Sequence, residues 1–218
     1  MSSKIPSPPP AENLDPALIT WEPGRPIFRA HGSQHDPLSF NCKQGLDFRF
    51  SSLAAGGQPI GVLYGADSLM GAISETMFHT IPADGDRLKP RAISRATIEK
   101  YAISVIACHQ PLKLIDLTGH GIGREGMPVT HGELILSEAA HYAKTRAWAE
   151  AFHNHPLEVD GFLWVSRQFN LAQAMMLFGD RVDQSALFRV EETAPAGRSP
   201  MIEIIETAAM EARIAIIN

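Results

Sequence analysis

Four side chains in this sequence have types and spacings suited to joint chemistry. Tyr64 closes a short apolar strand, Gly61-Val62-Leu63-Tyr64, and Glu75 follows eleven residues later within the apolar stretch Ala72-Ile73-Ser74-Glu75-Thr76. Arg49 lies upstream and Ser166 far downstream. A carboxylate among apolar neighbours is costly to bury unless it has a partner or a task. One such task is to stabilise positive charge that develops during a reaction. Arginine presents a planar fork of donors that matches phosphate oxygens. Tyrosine offers a ring face and a hydroxyl, and serine a hydroxyl that can fix its neighbours. Each also has a plainer role: surface ion pairing for the arginine, core packing for the tyrosine, a helix-surface carboxylate, and a strand-ending serine.

The elements that must position these groups can be read along the chain. Residues 1 to about 18 hold Pro6, Pro8, Pro9, Pro10 and Pro16 and are expected to form a flexible or extended arm. A single domain is expected from 19 to 218. Pro26 to His31 reads as a first strand, and Asp47-Phe48-Arg49-Phe50 alternates polar and aromatic residues as a half-buried strand should. A Gly-rich loop, Ala54 to Pro59, leads into a strand over 60–64 and a helix over about 67–79. After the polar stretch Pro82–Pro90, strands are expected over 92–98, 102–108 and 112–117. Thr130 and Glu133 have capping-box spacing for one long helix reaching about Phe152. A strand over 161–165 ends at Ser166-Arg167. A helical or mixed segment is expected over 169–178, a strand over 186–190 and a helix over 201–214. Strands and helices mix without regular βαβ alternation, which indicates an α+β fold with mixed twisted sheets flanked by helices.

Bulk properties narrow the function classes. The chain has 218 residues, 44% hydrophobic and 20% charged, enough for one well-filled core. A formal net charge of -5 leaves no general basic footprint for nucleic acid. Two cysteines, Cys42 and Cys108, are too few for a disulfide framework. No apolar run approaches the roughly 20 residues that span a bilayer, and the proline-rich start is unlike a secretion signal. A cytoplasmic location without membrane contact follows by default.

Taken in order, Phe28-Arg29-Ala30-His31, Arg49-Phe50, Val62-Leu63-Tyr64, Glu75 and Asp160-Gly161 to Ser166 resemble the RES family, named for its arginine, glutamate and serine. Leu114-Ile115-Asp116-Leu117-Thr118 also looks like that family's mid-chain strand. The segment between Arg49 and Tyr64 is somewhat longer than the family's usual spacing, a mild change for a loop. The resemblance covers about residues 25 to 190. It implies a fold similar to that of ADP-ribosyltransferases and consumption of NAD, by hydrolysis or phosphorolysis, with NAD as substrate and no separate cofactor. It also implies a toxin neutralised by a cognate Xre-type DNA-binding antitoxin. Transfer of ADP-ribose to a protein, or a non-catalytic NAD-binding or interaction module on the same fold, are the alternatives.

On that reading, Glu75 stabilises positive charge on the ribose as nicotinamide leaves, much as a carboxylate does in glycoside hydrolysis. Arg29 and Arg49 meet the pyrophosphate, Tyr64 meets the nicotinamide or a ribose, and Ser166 bonds Glu75, a ribose hydroxyl or an arginine. His31 joins the substrate-binding set beside Arg29. Arg167 is assigned a structural role. Gly121-Ile122-Gly123-Arg124-Glu125-Gly126 fits GxGxxG literally, but Pro128 and the Thr130 cap place the helix too late for a dinucleotide fingerprint. His153-Asn154-His155 lacks the companions of a metal site, and no metal is expected. Met175 and Met176 read as packing residues.

Overall fold

The computed structural model describes residues 5–42, 48–50, 53–79, 81, 91–124 and 126–218. Asp47 of the expected strand, the stretch Pro82–Pro90 and Glu125 lie outside the described residues. In chain order the first strands are β1 (Leu18–Trp21), β2 (Ile27–Gly32), β3 (Ala54–Ala55), β4 (Gln58–Pro59), β5 (Val62–Ala66) and β6 (Ala92–Ser94). They continue with β7 (Tyr101–Cys108), β8 (Leu112–Asp116), β9 (Gly161–Val165), β10 (Gln173–Phe178), β11 (Leu187–Arg189), β12 (Ala194–Pro195) and β13 (Ala215–Ile217). The helices are α1 (Leu69–Thr76), α2 (Arg95–Ile98), α3 (Gly119–Ile122), α4 (His131–Ile135), α5 (Tyr142–His153) and α6 (Met201–Glu211).

Nine strands form one sheet in the order β1-β8-β9-β10-β5-β2-β7-β11, with β12 also on β7. The β8–β9 pair is parallel, and the other pairs of this sheet are antiparallel. The fold is α+β. Among the described residues no helix is long and apolar enough to cross a membrane.

Side chains of a strand point alternately to its two faces, and the centre of this sheet is apolar on both. From β9, Phe162 and Trp164 join a core with Phe50, Trp148, Phe152 and Phe178, while Leu163 joins the opposite core with Trp21, Ile27, Leu63 and Met175. A third core, around Ile73, Met77, Ile98, Ile103 and Ile205, lies under α1 and α6. Helix α1 starts at Ser68, whose side chain accepts from the Gly71 amide. A Cβ on Gly71 would lie 2.8 Å from Ala172 Cβ and 3.0 Å from Ala66 Cβ, so the small residues of this helix serve close packing.

Several expected elements are corrected. The proline-rich arm is packed rather than free from Ile5 onward: Ile5 and Leu14 are 1% and 5% exposed and belong to the first core. Proline restricts the backbone of that segment, which makes a short 3-10 turn at Ala11–Asn13, but does not prevent apolar side chains from finding a core. Phe48 to Phe50 forms a turn rather than a strand; Phe50 is buried and Phe48 exposed. The long helix expected from Thr130 breaks in two. The Thr130–Glu133 capping box is present, but α4 ends at Ile135 and α5 begins at Tyr142. The segment 169–178 holds strand β10, paired on both sides. Residues 95–98 turn into α2, where Ser94 accepts from the Thr97 amide and stops the strand.

Candidate active site

Strands β2 and β5 share one bridged pair, Phe28 with Ala66, before they diverge. Gly65 sits at this junction, where a Cβ would come 2.4 Å from Ile27 Cγ2. A cavity of about 760 Å³ opens in the divergence. Its wall draws Phe50, Val62, Tyr64 and Trp164 from the first core and Ala72, Met77, Ile93 and Tyr101 from the core under α1. Of the residues singled out in the sequence, Arg29, His31, Arg49, Tyr64 and Glu75 line it.

Ser166 does not line the cavity. It is fully buried behind Glu75, at the end of β9. Its Oγ donates to Glu75 Oε1 at 2.6 Å and accepts from the Phe169 amide at 3.0 Å. The Gln168 amide donates to the same carboxylate oxygen at 3.3 Å. Strand β9, helix α1 and the turn after β9 therefore meet at one carboxylate, which is held from behind and presented to the cavity.

Arg49 is 8% exposed. Its Nη1 reaches the Leu134 carbonyl at 3.4 Å and its Nη2 the Ser137 carbonyl at 3.5 Å. The guanidinium carbon lies 5.7 Å from the Tyr142 ring centroid. Burial lowers the Arg49 pKa, while Tyr142 and Glu75 oppose that shift and Arg167 adds to it. Tyr64 meets Trp164 edge to face, with centroids 6.3 Å apart.

Arg29 and His31 both line the cavity and bond protein atoms. Arg29 Nη1 donates to the Pro37 carbonyl at 2.5 Å and the Ser39 carbonyl at 3.0 Å, which clamps the loop after β2 against the cavity. Burial pulls the Arg29 pKa down to about 10, against the opposing charge of Asp36. His31 Nδ1 faces the Gly32 carbonyl at 3.1 Å, and Nε2 faces Ser104 Oγ at 2.9 Å. A neutral ring protonated on Nδ1 satisfies both, with Ser104 donating to Nε2. Ser104 in turn lies 2.8 Å from Thr193 Oγ1.

One residue at the site, His79, was not picked out from the sequence. His79 lines the cavity from the turn after α1, four residues past Glu75. It sits edgewise to Phe48 at 6.1 Å. Burial lowers its pKa; Glu75 opposes this, and Arg49 and Arg167 reinforce it. Arg167, assigned a structural role from sequence, donates to the Ser137 carbonyl at 3.4 Å, the same oxygen that Arg49 reaches.

Burial lowers the pKa of His31 and of His79 from 6.5. The unfolded chain therefore binds more protons than the folded one between the lowered values and 6.5, so stability rises with pH there. It is present in full above 6.5 and is lost as pH falls through the folded values. The urea midpoint should drop between about pH 7.5 and pH 5, and His31→Gln should flatten part of that slope. Equal slopes for the two proteins would remove His31 from the account.

The sequence-level motifs set aside resolve into structure. Thr118 caps α3, and Gly121 packs against Asp116. His153 Nε2 pairs with Asp180 at 2.8 Å, and His155 Nε2 faces the Leu14 carbonyl at 3.1 Å. Among the described residues no group of three or more His, Cys, Asp or Glu is placed to hold a metal.

No curated protein matches the sequence. In shape, the chain is similar to one in the crystal structure of the M. tuberculosis MbcT–MbcA toxin–antitoxin complex. The TM-score is 0.55 at 16% identity, over 88% of this chain and 92% of the other. The sequence matches the RES domain over residues 26–199, a span that contains every residue described around the cavity. That match covers most of the chain, and the protein belongs to the RES domain family.

Proposed function

We propose that the cavity binds NAD and that the protein cleaves its nicotinamide–ribose bond. The observation that carries this reading is the Glu75 carboxylate, held at 2.6 Å by buried Ser166 on the wall of a cavity shared with Arg49 and Tyr64. The cavity volume falls within the roughly 300–1,000 Å³ range of small-molecule sites. Membership of the RES family and the likeness to a chain from a toxin–antitoxin complex favour the same reading.

The chemistry asks little of the protein in proton transfer. The C1′–N bond breaks with its electron pair leaving on nicotinamide, which is already a cation and a good leaving group. Positive charge then develops on the ribose. Glu75 stabilises that charge, and its bonds to Ser166 and the Gln168 amide keep it from turning away. Arg49 supplies a cation for the pyrophosphate and Tyr64 a ring and hydroxyl for the ligand. An oxygen of water or phosphate attacks C1′ and releases its proton to solvent. Arg29 and His31 line the same cavity and stay in the substrate-binding set, with their bonds to Pro37, Ser39, Gly32 and Ser104 fixing where they sit.

In the cell the protein acts as a toxin, restrained by a cognate Xre-type DNA-binding antitoxin. The test is NAD concentration over time with purified protein, with and without phosphate. NAD should fall with release of free nicotinamide, and phosphate dependence names the acceptor. Labelled ADP-ribose on a macromolecule would replace this reading with protein modification. No loss of NAD with any acceptor, from a folded protein, would leave a binding module.

A further inference from the structure

The N-terminal segment lies outside residues 26–199, the span matched by the RES domain, yet it is fastened along one helix. Lys144 Nζ donates to the Ile5 carbonyl at 2.7 Å, and Trp148 Nε1 to the Pro6 carbonyl at 2.8 Å. Lys144 and Trp148 are four residues apart on α5 and so share a face. Just past the helix, His155 accepts from the Leu157 amide on Nδ1 and donates from Nε2 to the Leu14 carbonyl at 3.1 Å. Ile5 and Leu14 complete the contact by burying their side chains in the core that holds Trp148 and Phe152.

The same helix holds Arg49. Thr145 Oγ1 donates to the Arg49 carbonyl at 2.5 Å, and the Tyr142 ring lies under its guanidinium. Thr145 is fully buried. Phe50, the next residue, packs in the core that Ile5 and Leu14 help to close. Residues 48–50 form a turn outside any strand ladder, so hydrogen bonds of a sheet do not hold them. Their placement depends on what they touch, and α5 touches the main chain through Thr145 at the Arg49 carbonyl.

We infer that residues 5–17 are a strap that seats Arg49 in the cavity through helix α5. Arg49 is the group that acts, and the strap residues are positioning residues. Loosening the strap lets α5 shift, and the shift reaches the cavity at Arg49. Glu75, held by β9 and α1, is not moved by it. The expected consequence is a change in ligand binding larger than the change in turnover. Only the kinetic part of this inference rests on the NAD reading.

The test uses the full chain in two forms, Ile5→Asp and the milder pair Lys144→Met with Trp148→Phe. Amide hydrogen exchange is followed without ligand. Exchange at 48–50 and 142–146 should quicken about tenfold, the worth of roughly one hydrogen bond, with β5 and β9 unchanged. In NAD turnover KM should rise several-fold with kcat moved less, and the rise should vanish in an Arg49→Ala background. Unchanged exchange at 48–50, or acceleration spread evenly over the sheet, would overturn the inference, as would a KM effect of equal size without Arg49. If Ile5→Asp does not fold, the Lys144 and Trp148 variant carries the same readouts. If the wild type consumes no NAD, the NAD reading fails alone and exchange at 48–50 still decides the strap.

Discussion

Replacing Glu75 by glutamine should lower NAD consumption by on the order of a hundredfold or more, with the fold retained. The substitution keeps the side chain's size and keeps an acceptor oxygen for the Ser166 hydroxyl and the Gln168 amide. It removes the negative charge. A neutral amide cannot stabilise a ribosyl cation as a carboxylate can, so the loss should appear in kcat as well as in kcat/KM. Affinity for an inert analogue such as ADP-ribose should change far less, because the proposed pyrophosphate contact is with Arg49. Initial rates of NAD loss, paired with urea melts of both proteins, measure the two halves. Wild-type rates from a well-folded Glu75→Gln protein would refute the assignment of the carboxylate. A collapsed melt would instead show that Glu75 is needed for the junction of α1 with β9.

Much of this site could be read from the sequence because its parts are local. Tyr64 lies in the middle of β5, which runs two residues past the expected end at Tyr64, and Glu75 lies in the helix that follows, so their spacing reports one strand–turn–helix unit. Ser166 ends a strand whose apolar run is visible. What could not be read is what each polar atom bonds to. Arg29 spends donors on Pro37 and Ser39, and His31 bonds Ser104 on a neighbouring strand. These partners are fixed by tertiary contacts, which spacing does not encode. The link from Arg167 to Arg49 is of the same kind, since it passes through the Ser137 carbonyl in the break between α4 and α5.

The misread elements have the same origin. Strand β10 carries two methionines and no β-branched residue, so local propensity does not announce it. Its place between β9 and β5, with Met175 and Met176 fully buried on opposite faces, makes it a strand. The Phe48–Phe50 alternation was real, but it places one ring in the core and one at the cavity mouth from a turn. The prolines near the N-terminus gave the expectation of a flexible or extended arm, and the segment includes a short 3-10 turn at Ala11–Asn13. They were silent on the Ile5 and Leu14 side chains, whose burial turns that segment into part of the core.

Gly161→Ala should destabilise the protein by about 3 kcal/mol or more, at or beyond the usual range for overpacking a core. A Cβ at this position would lie 1.9 Å from the Met176 carbonyl oxygen and 2.9 Å from its carbonyl carbon. Those are backbone atoms of the adjacent strand, so no side-chain rotation relieves the clash. Gly161 is also bracketed, paired with Leu177 on one side and Leu114 on the other. Its neighbour Asp160 fixes the register, with Oδ2 accepting from the Lys113 amide at 2.7 Å. In this chain Asp160 and Gly161 thus pack the strand, while Ser166 at the far end of β9 bonds Glu75. Gly119→Ala is the fitting control, since a Cβ there meets nothing within 4 Å. Urea midpoints should fall sharply for the first variant and hold for the second. Matching midpoints would mean that β9 and β10 can separate without cost, and the Ser166–Glu75 bond would then lack the rigid strand that this reading of the site requires.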